Sequence, residues 1–149
     1  MTTSRWPASA ERTTFGMLTR SQLMSRVRSQ RNKTTELRLV VLLRAAKLGG
    51  WRRNIPLPGK PDFVWRCQKV AVFVDGCFWH GCPKHATTPR NNYLLWKTKL
   101  MRNAQRDQTV TRTLRKQGWK VLRIWEHELE RQRQSRLLRR IARILSARR

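Results

Sequence analysis

Thirty-four lysines and arginines share this chain with eight aspartates and glutamates, so whatever it folds into carries a formal charge of +26. A surface with that excess attracts polyanions, and nucleic acid is the commonest one. A small acidic substrate would not require charge on this scale. The hydrophobic content of 39% is too high for a disordered basic tail, so the charge belongs to something folded. At 149 residues the chain suits one domain that buries roughly two-thirds of its unfolded surface. The longest aliphatic run, Leu39 to Leu43, is far too short to span a membrane, and the Ser/Thr/Arg-rich N-terminus shows no apolar secretory stretch. Three cysteines make a poor disulfide framework and fit a reducing cytosol. The expectation is a cytoplasmic, nucleoid-associated protein with a nucleic-acid partner and no membrane partner.

The rarity of acids makes each of them informative. Glu11, Glu36, Asp62, Asp75, Asp107, Glu126, Glu128 and Glu130 are the complete set. Each carboxylate near a phosphate-binding face repels the ligand, and metal binding is one role that would justify its presence there.

Residues 1–18 lack periodicity and read as a mobile basic arm, leaving a single domain over 19–149. A short helix is expected over 20–31, and Thr34 is the expected N-cap of a helix through Leu48, ended by Gly49-Gly50. Trp51–Ile55 reads as a strand, after which Pro56, Pro58, Gly59 and Pro61 force a turn or extended loop. Asp62–Arg66 (DFVWR) and Val70–Asp75 (VAVFVD) are β-prone runs that flank Cys67-Gln68-Lys69, which predicts a hairpin. Residues 76–90 have no repeating pattern. Asn91 or Asn92 opens a long helix to Gly118, and Trp119–Trp125 reads as a buried strand. Leu137, Leu138, Ile141, Ile144 and Leu145 then share one face of a basic terminal helix. This order predicts an α/β (α+β) fold in which helices flank a mixed β-sheet.

A hairpin turn centred on Gln68-Lys69 sets Asp62 directly opposite Asp75, with Cβ atoms about 5 Å apart. Two carboxylates that close repel each other unless a cation lies between them, and hard oxygen donors favour Mg²⁺. The competing reading makes one aspartate a turn residue and the other a cap or a solvated group.

Cys77, Cys82 and His85, completed by His127 after the WKVLRIW strand, offer donors suited to tetrahedral Zn²⁺. Against this stands the reading that the thiols are buried and free and the histidines lie on the surface. Cys67 stands apart at the hairpin turn. His80 is open to two readings, a zinc ligand in place of His127 or a general base near Asp75. Asp107 is a candidate partner to orient it, or else a helix-surface charge paired with a nearby arginine. Trp96 and Asp107 are about three turns apart, some 16 Å along the axis, and share a helix face. Phe78 and Trp79 flank the cysteine loop, where aromatics serve either as core filler or as wedges in a base stack.

LPGKPDF (Leu57–Phe63), VFVDGCFWHGC ending at Cys82, the Asn/Trp/Lys stretch at 91–99, RNxxRD ending at Asp107 and GWKVLRIWEHEL (Gly118–Leu129) occur in one order and spacing. Together, over residues 20–130, they resemble the very short patch repair (Vsr) DNA mismatch endonucleases. The resemblance implies a restriction-endonuclease-like fold, a structural zinc, and a Mg²⁺-dependent nick in one strand beside a T:G mismatch left by deaminated 5-methylcytosine. By the same resemblance Asp62 binds the metal with the Val74 carbonyl, and Glu36 orders water there. His80 activates the attacking water, oriented by Asp107. Phe78, Trp79 and Trp96 match aromatics that enter the DNA stack. Cys77 matches a zinc ligand, and Cys82, His85 and His127 fall where the other ligands belong. Asp75 stands where some members have histidine, as a further carboxylate for the magnesium. Cys77 replaces the lysine usual in such nucleases, which leaves the base to His80.

The expected enzyme is a DNA-nicking phosphodiester hydrolase that works as a monomer on mismatched double-stranded DNA, with mismatch-repair proteins as candidate further partners. The competing classes are a nuclease of the same fold with another specificity and a zinc-stabilised DNA-binding protein without catalysis. Glu36, Asp62, Asp75 and His80 argue against the latter, because a mere binder gains nothing from acids that face DNA.

Overall fold

In the computed structural model, residues 35–85, 90 and 92–147 are described. The expected arm at 1–18, the helix over 20–31 and the Thr34 cap lie outside them. Helix α1 runs from residue 35 to residue 45. It stops short of Leu48 because Lys47 takes a left-handed φ of 55°, and the Leu48 N–H closes back on the Leu43 carbonyl at 2.9 Å. That 6→1 bond is a Schellman closure built on a lysine, so the glycine pair lies beyond the cap instead of forming it.

The strands are β1 (Phe63–Trp65), β2 (Val70–Asp75) and β3 (Lys120–Trp125), joined in the order β1-β2-β3. β1 pairs with β2 antiparallel and β2 with β3 parallel, so the sheet is mixed as expected. All six residues of β2 are buried, as befits a central strand covered on both faces. Between β2 and β3 lies helix α2 (Tyr93–Lys116), preceded by Asn92 in a left-handed conformation, and helix α3 (Gln134–Ser146) follows a 3₁₀ turn at Glu126–Leu129. Trp51–Ile55 is not a strand: within it only Arg52 pairs, in an isolated bridge to Val64, and Asn54 has a φ of 56° that breaks extended structure.

Strand parity decides which side chains meet. Phe63, Trp65, Val70, Val72, Val74 and Ile124 face one layer, where Leu39 and Leu43 of α1 and Leu137 and Ile141 of α3 complete the main core. Ala71 and Phe73 face the other way, against Leu114 and Val110 of α2. Asp62, Asp75 and Arg123 share the parity of that second face. The loop before β1 is pinned to α2 by Gly59, where a Cβ would come within 2.4 Å of Val110 Cγ1 at a φ of +74°.

No described helix is long and apolar enough to cross a membrane.

Candidate active site and metal centre

The hairpin register differs from the expected one. Phe63 pairs with Val72 and Trp65 with Val70, around a four-residue turn at 66–69 in which Lys69 has a φ of 51°. Asp62 therefore donates its backbone N–H to the Val72 carbonyl and does not lie directly opposite Asp75. A slip of two residues preserves the face, so the two acids become diagonal neighbours on the α2 side. Asp62 Oδ2 accepts the Val74 N–H at 2.7 Å. Burial, opposed by this bond and reinforced by the Glu36 and Asp75 carboxylates, pushes the Asp62 carboxyl up to about 7. Glu36 itself is held by Arg53. Carboxyls crowded in this way suit a divalent cation, which would relieve their repulsion.

His80 follows β2 in a tight loop whose N–H returns to the Gly76 carbonyl at 3.2 Å. Its Nδ1 meets Asp107 Oδ2 at 2.5 Å, and Asp75 Oδ1 lies 3.6 Å away. Burial works to raise the Asp107 carboxyl, but the His80 hydrogen bond and the charges of His80 and Arg123 hold it below the usual range. Arg123 from β3 completes the cluster. Its Nε and Nη2 donate to the two Asp75 oxygens at 2.6 and 2.8 Å, and Nη2 reaches Asp107 Oδ1 at 2.9 Å. These groups line a cavity of about 400 Å³ together with Lys60 and Asp62.

Sequence reasoning missed Arg123, Arg53 and Lys60. The available signal was an arginine set inside the otherwise apolar run VLRIW, where a buried strand leaves a charge that must find a partner. Its partner could be named only with the β2–β3 register in hand.

Below the same loop, one ligand atom each from Cys77, Cys82, His85 and His127 lies within 4.8 Å of the others. His127 Nδ1 is 3.2 Å from Cys77 Sγ and 3.5 Å from Cys82 Sγ, and Cys82 Sγ is 3.8 Å from His85 Nδ1. Ordinary zinc bond lengths in a tetrahedron set ligand atoms roughly 3.4–3.8 Å apart, so the donor set and its spacing fit that ion. Burial and the neighbouring Cys82 raise the Cys77 thiol to about 11, while burial, His85 and Arg133 lower His127. The geometry thus separates the histidines: His127 joins the cysteines and His80 joins the carboxylates. Cys67 is exposed in the hairpin turn.

The loop between the two clusters carries Phe78 and Trp79. Their rings lie 5.0 Å apart, and Trp96 from the first turn of α2 stands 5.5 Å from Phe78 and 5.8 Å from Trp79. All three are half-buried, and none of them belongs to the two core clusters. Lys99 Nζ lies 5.3 Å from both tryptophan rings, and the Asn103 amide donates to the Trp79 carbonyl at 3.0 Å. The neighbouring Leu94 and Leu95 are 76% and 68% exposed, so this end of α2 presents an apolar surface in a strongly cationic protein.

Residues 13–86 match the family model of the DNA mismatch endonuclease Vsr. The chain is 56% identical over 69 residues to the type II nicking enzyme V.NaeI of Lentzea aerocolonigenes, a match that covers 46% of this chain and 42% of that one. It is 38% identical over 116 residues to the type II nicking enzyme V.NmeDIP of Neisseria meningitidis serogroup C, across 75% of this chain and 78% of the relative. To the DNA mismatch endonuclease Vsr of Escherichia coli K12 it is 35% identical over 109 residues, across 72% and 69% of the two chains. By the family match and these relatives, the chain belongs to the Vsr family of DNA mismatch endonucleases.

Proposed function

We propose that this protein is a Mg²⁺-dependent DNA endonuclease that nicks one strand of a duplex 5′ of the T in a T:G mismatch. The observation that carries the reading is the position of one short loop. Residues 76–82 join an acid-lined cavity holding the His80–Asp107 pair to a half-buried aromatic trio and to the cysteine–histidine cluster. The family membership and the nicking relatives support hydrolysis of a phosphodiester in DNA. They also support a restriction-endonuclease-like fold, in which mixed-sheet strands carry the acids.

Asp62 and the Val74 carbonyl would hold the magnesium, with Glu36 ordering water beside it. When bound, the ion supplies Lewis-acid stabilisation of charge on the phosphate and on the leaving oxygen. The Asp107 carboxylate occupies His80 Nδ1 and leaves Nε2 as the ring's basic nitrogen. His80 accepts the proton of the attacking water there, and Asp107 stabilises the imidazolium that results. Asp107 is suited to this because it stays ionised. Phe78, Trp79 and Trp96 enter the base stack at the mismatch, where a poorly stacked T:G pair resists opening least. Cys77, Cys82, His85 and His127 hold a structural zinc that stiffens the loop bearing both the aromatics and His80. The working unit is a single chain on double-stranded DNA, and repair proteins are candidates for later docking.

Purified protein incubated with a T:G duplex should nick it with Mg²⁺ and not with excess chelator. Asp62→Ala should abolish the nick while binding DNA as well as the parent or better, because one carboxylate is gone from a phosphate site. An Asp62→Ala variant that nicks at the parental rate overturns the reading.

A further inference from the structure

We propose that Arg123 is the resident cation of a second acidic subsite, formed by Asp75 and Asp107. Its guanidinium takes the place a divalent ion would otherwise fill and positions both carboxylates for His80. The proposal rests on the nuclease reading above and confines its metal to the Asp62 side of the cavity.

Asp75, His80 and Asp107 each offer a ligand atom, and these atoms lie within 4.8 Å of one another. The spacing of the two carboxylates would admit a divalent cation between them. The guanidinium already lies among them. Asp75, 4% exposed, has one oxygen on Arg123 Nε at 2.6 Å and the other on Nη2 at 2.8 Å. This is a two-point, charge-assisted pair that occupies both oxygens of the acid. Nη2 continues to Asp107 Oδ1 at 2.9 Å, so one guanidinium ties the acid at the end of β2 to the acid on α2.

A donor inventory decides between a positioning role and a phosphate clamp. A guanidinium has five N–H groups. The Nε hydrogen and both Nη2 hydrogens are directed at carboxylates, and Nη1 faces the Asp107 carbonyl at 3.4 Å and Thr111 Oγ1 at 3.5 Å. Every donor is aimed at protein, and the plane is steadied by the Phe73 ring, 4.7 Å from Cζ. The short bonds all go to the two carboxylates, which commits the guanidinium to Asp75 and Asp107. The charge balance points the same way: two carboxylates against one guanidinium leave one negative charge beside His80, enough to stabilise an imidazolium. Without Arg123 one buried and one half-buried negative charge would remain, and a divalent ion would be drawn to them. Asp75 is thereby a counter-ion to Arg123 and not a metal ligand, and Arg123 is a positioning residue.

Counting Mn²⁺ bound to the zinc-loaded, DNA-free full chain by electron paramagnetic resonance tests this without reference to activity. Arg123→Gln should bind about one Mn²⁺ more than the parent. Arg123→Lys, which keeps the charge, should bind the same number as the parent, and so should Asp75→Asn combined with Arg123→Gln. Thermal unfolding with and without Mn²⁺ covers the case of a glutamine variant that fails to fold: rescue by Mn²⁺, with the lysine variant folded without it, supports the proposal. An Arg123→Gln chain that binds no more ions than the parent, or that no Mn²⁺ concentration refolds, overturns it. A parent that binds no Mn²⁺ beside a glutamine variant that binds one would defeat the Asp62 metal reading and leave the Arg123 assignment standing.

Discussion

His80 Nδ1 and Asp107 Oδ2 meet at 2.5 Å across 27 residues of sequence, and in doing so join the loop after β2 to α2. The bond selects the histidine tautomer and fixes the ring, the two conditions a base needs before its pKa matters. His80→Ala should therefore slow nicking at least about a hundredfold, the usual cost of a lost general base. Asp107→Asn should move kcat in the same direction by about tenfold or more, with the KM for DNA little changed. Single-turnover nicking over a range of protein concentrations measures the rate constant and the half-saturation point for both variants.

The zinc proposed for the cysteine–histidine cluster should act on stability before it acts on rate. Freshly purified, reduced protein should hold about one zinc, and Cys82→Ala should lose it and lower the melting temperature. Because burial keeps the metal-free Cys77 thiol protonated up to about 11, zinc uptake near neutral pH must release protons. Calorimetry in buffers of different ionisation enthalpy reads that release directly. A heat that does not vary with the buffer, or a fully folded Cys82→Ala chain without zinc, would contradict the assignment.

What could be read from the sequence and what could not follow from the physics of each signal. The long helix, its start at Asn91 or Asn92 and the strand ending at Trp125 were legible because periodicity and Gly/Asn punctuation are local. Grouping the acids on one face was also legible, because parity along a strand survives a two-residue slip. The register itself was not, because it depends on a turn of four residues in which Lys69 adopts a left-handed conformation. The strand expected over Trp51–Ile55 failed for a similar reason, since its one bridge at Arg52 is cut off by Asn54. Arg123 was hidden most deeply. Its place inside VLRIW marks it as an arginine in need of a partner, but which of the eight acids that is follows only from the β2–β3 pairing, Asp75 with Trp125.

The aromatic trio should control which duplex is cut. Base–aromatic stacking is worth roughly 1–3 kcal/mol per base, about a factor of five to a hundred and fifty. Trp79→Ala and Trp96→Ala should lose most of the preference for T:G over T:A duplexes while keeping salt-dependent, non-specific binding through the arginine-rich surface. Competition binding with the two duplexes at fixed ionic strength separates the terms. Loss of both kinds of binding together would make the trio a structural cluster.

The central claim is mismatch-directed nicking, and mapping the cut on strand-labelled duplexes that differ only at one base pair tests it most directly. With Mg²⁺ and the parent protein, the account predicts a single nick in the T strand, 5′ of the mismatched T, with the T:A and C:G duplexes left intact. Equal nicking of the T:G and fully paired duplexes would contradict it and leave a nicking nuclease that reads some other feature of DNA.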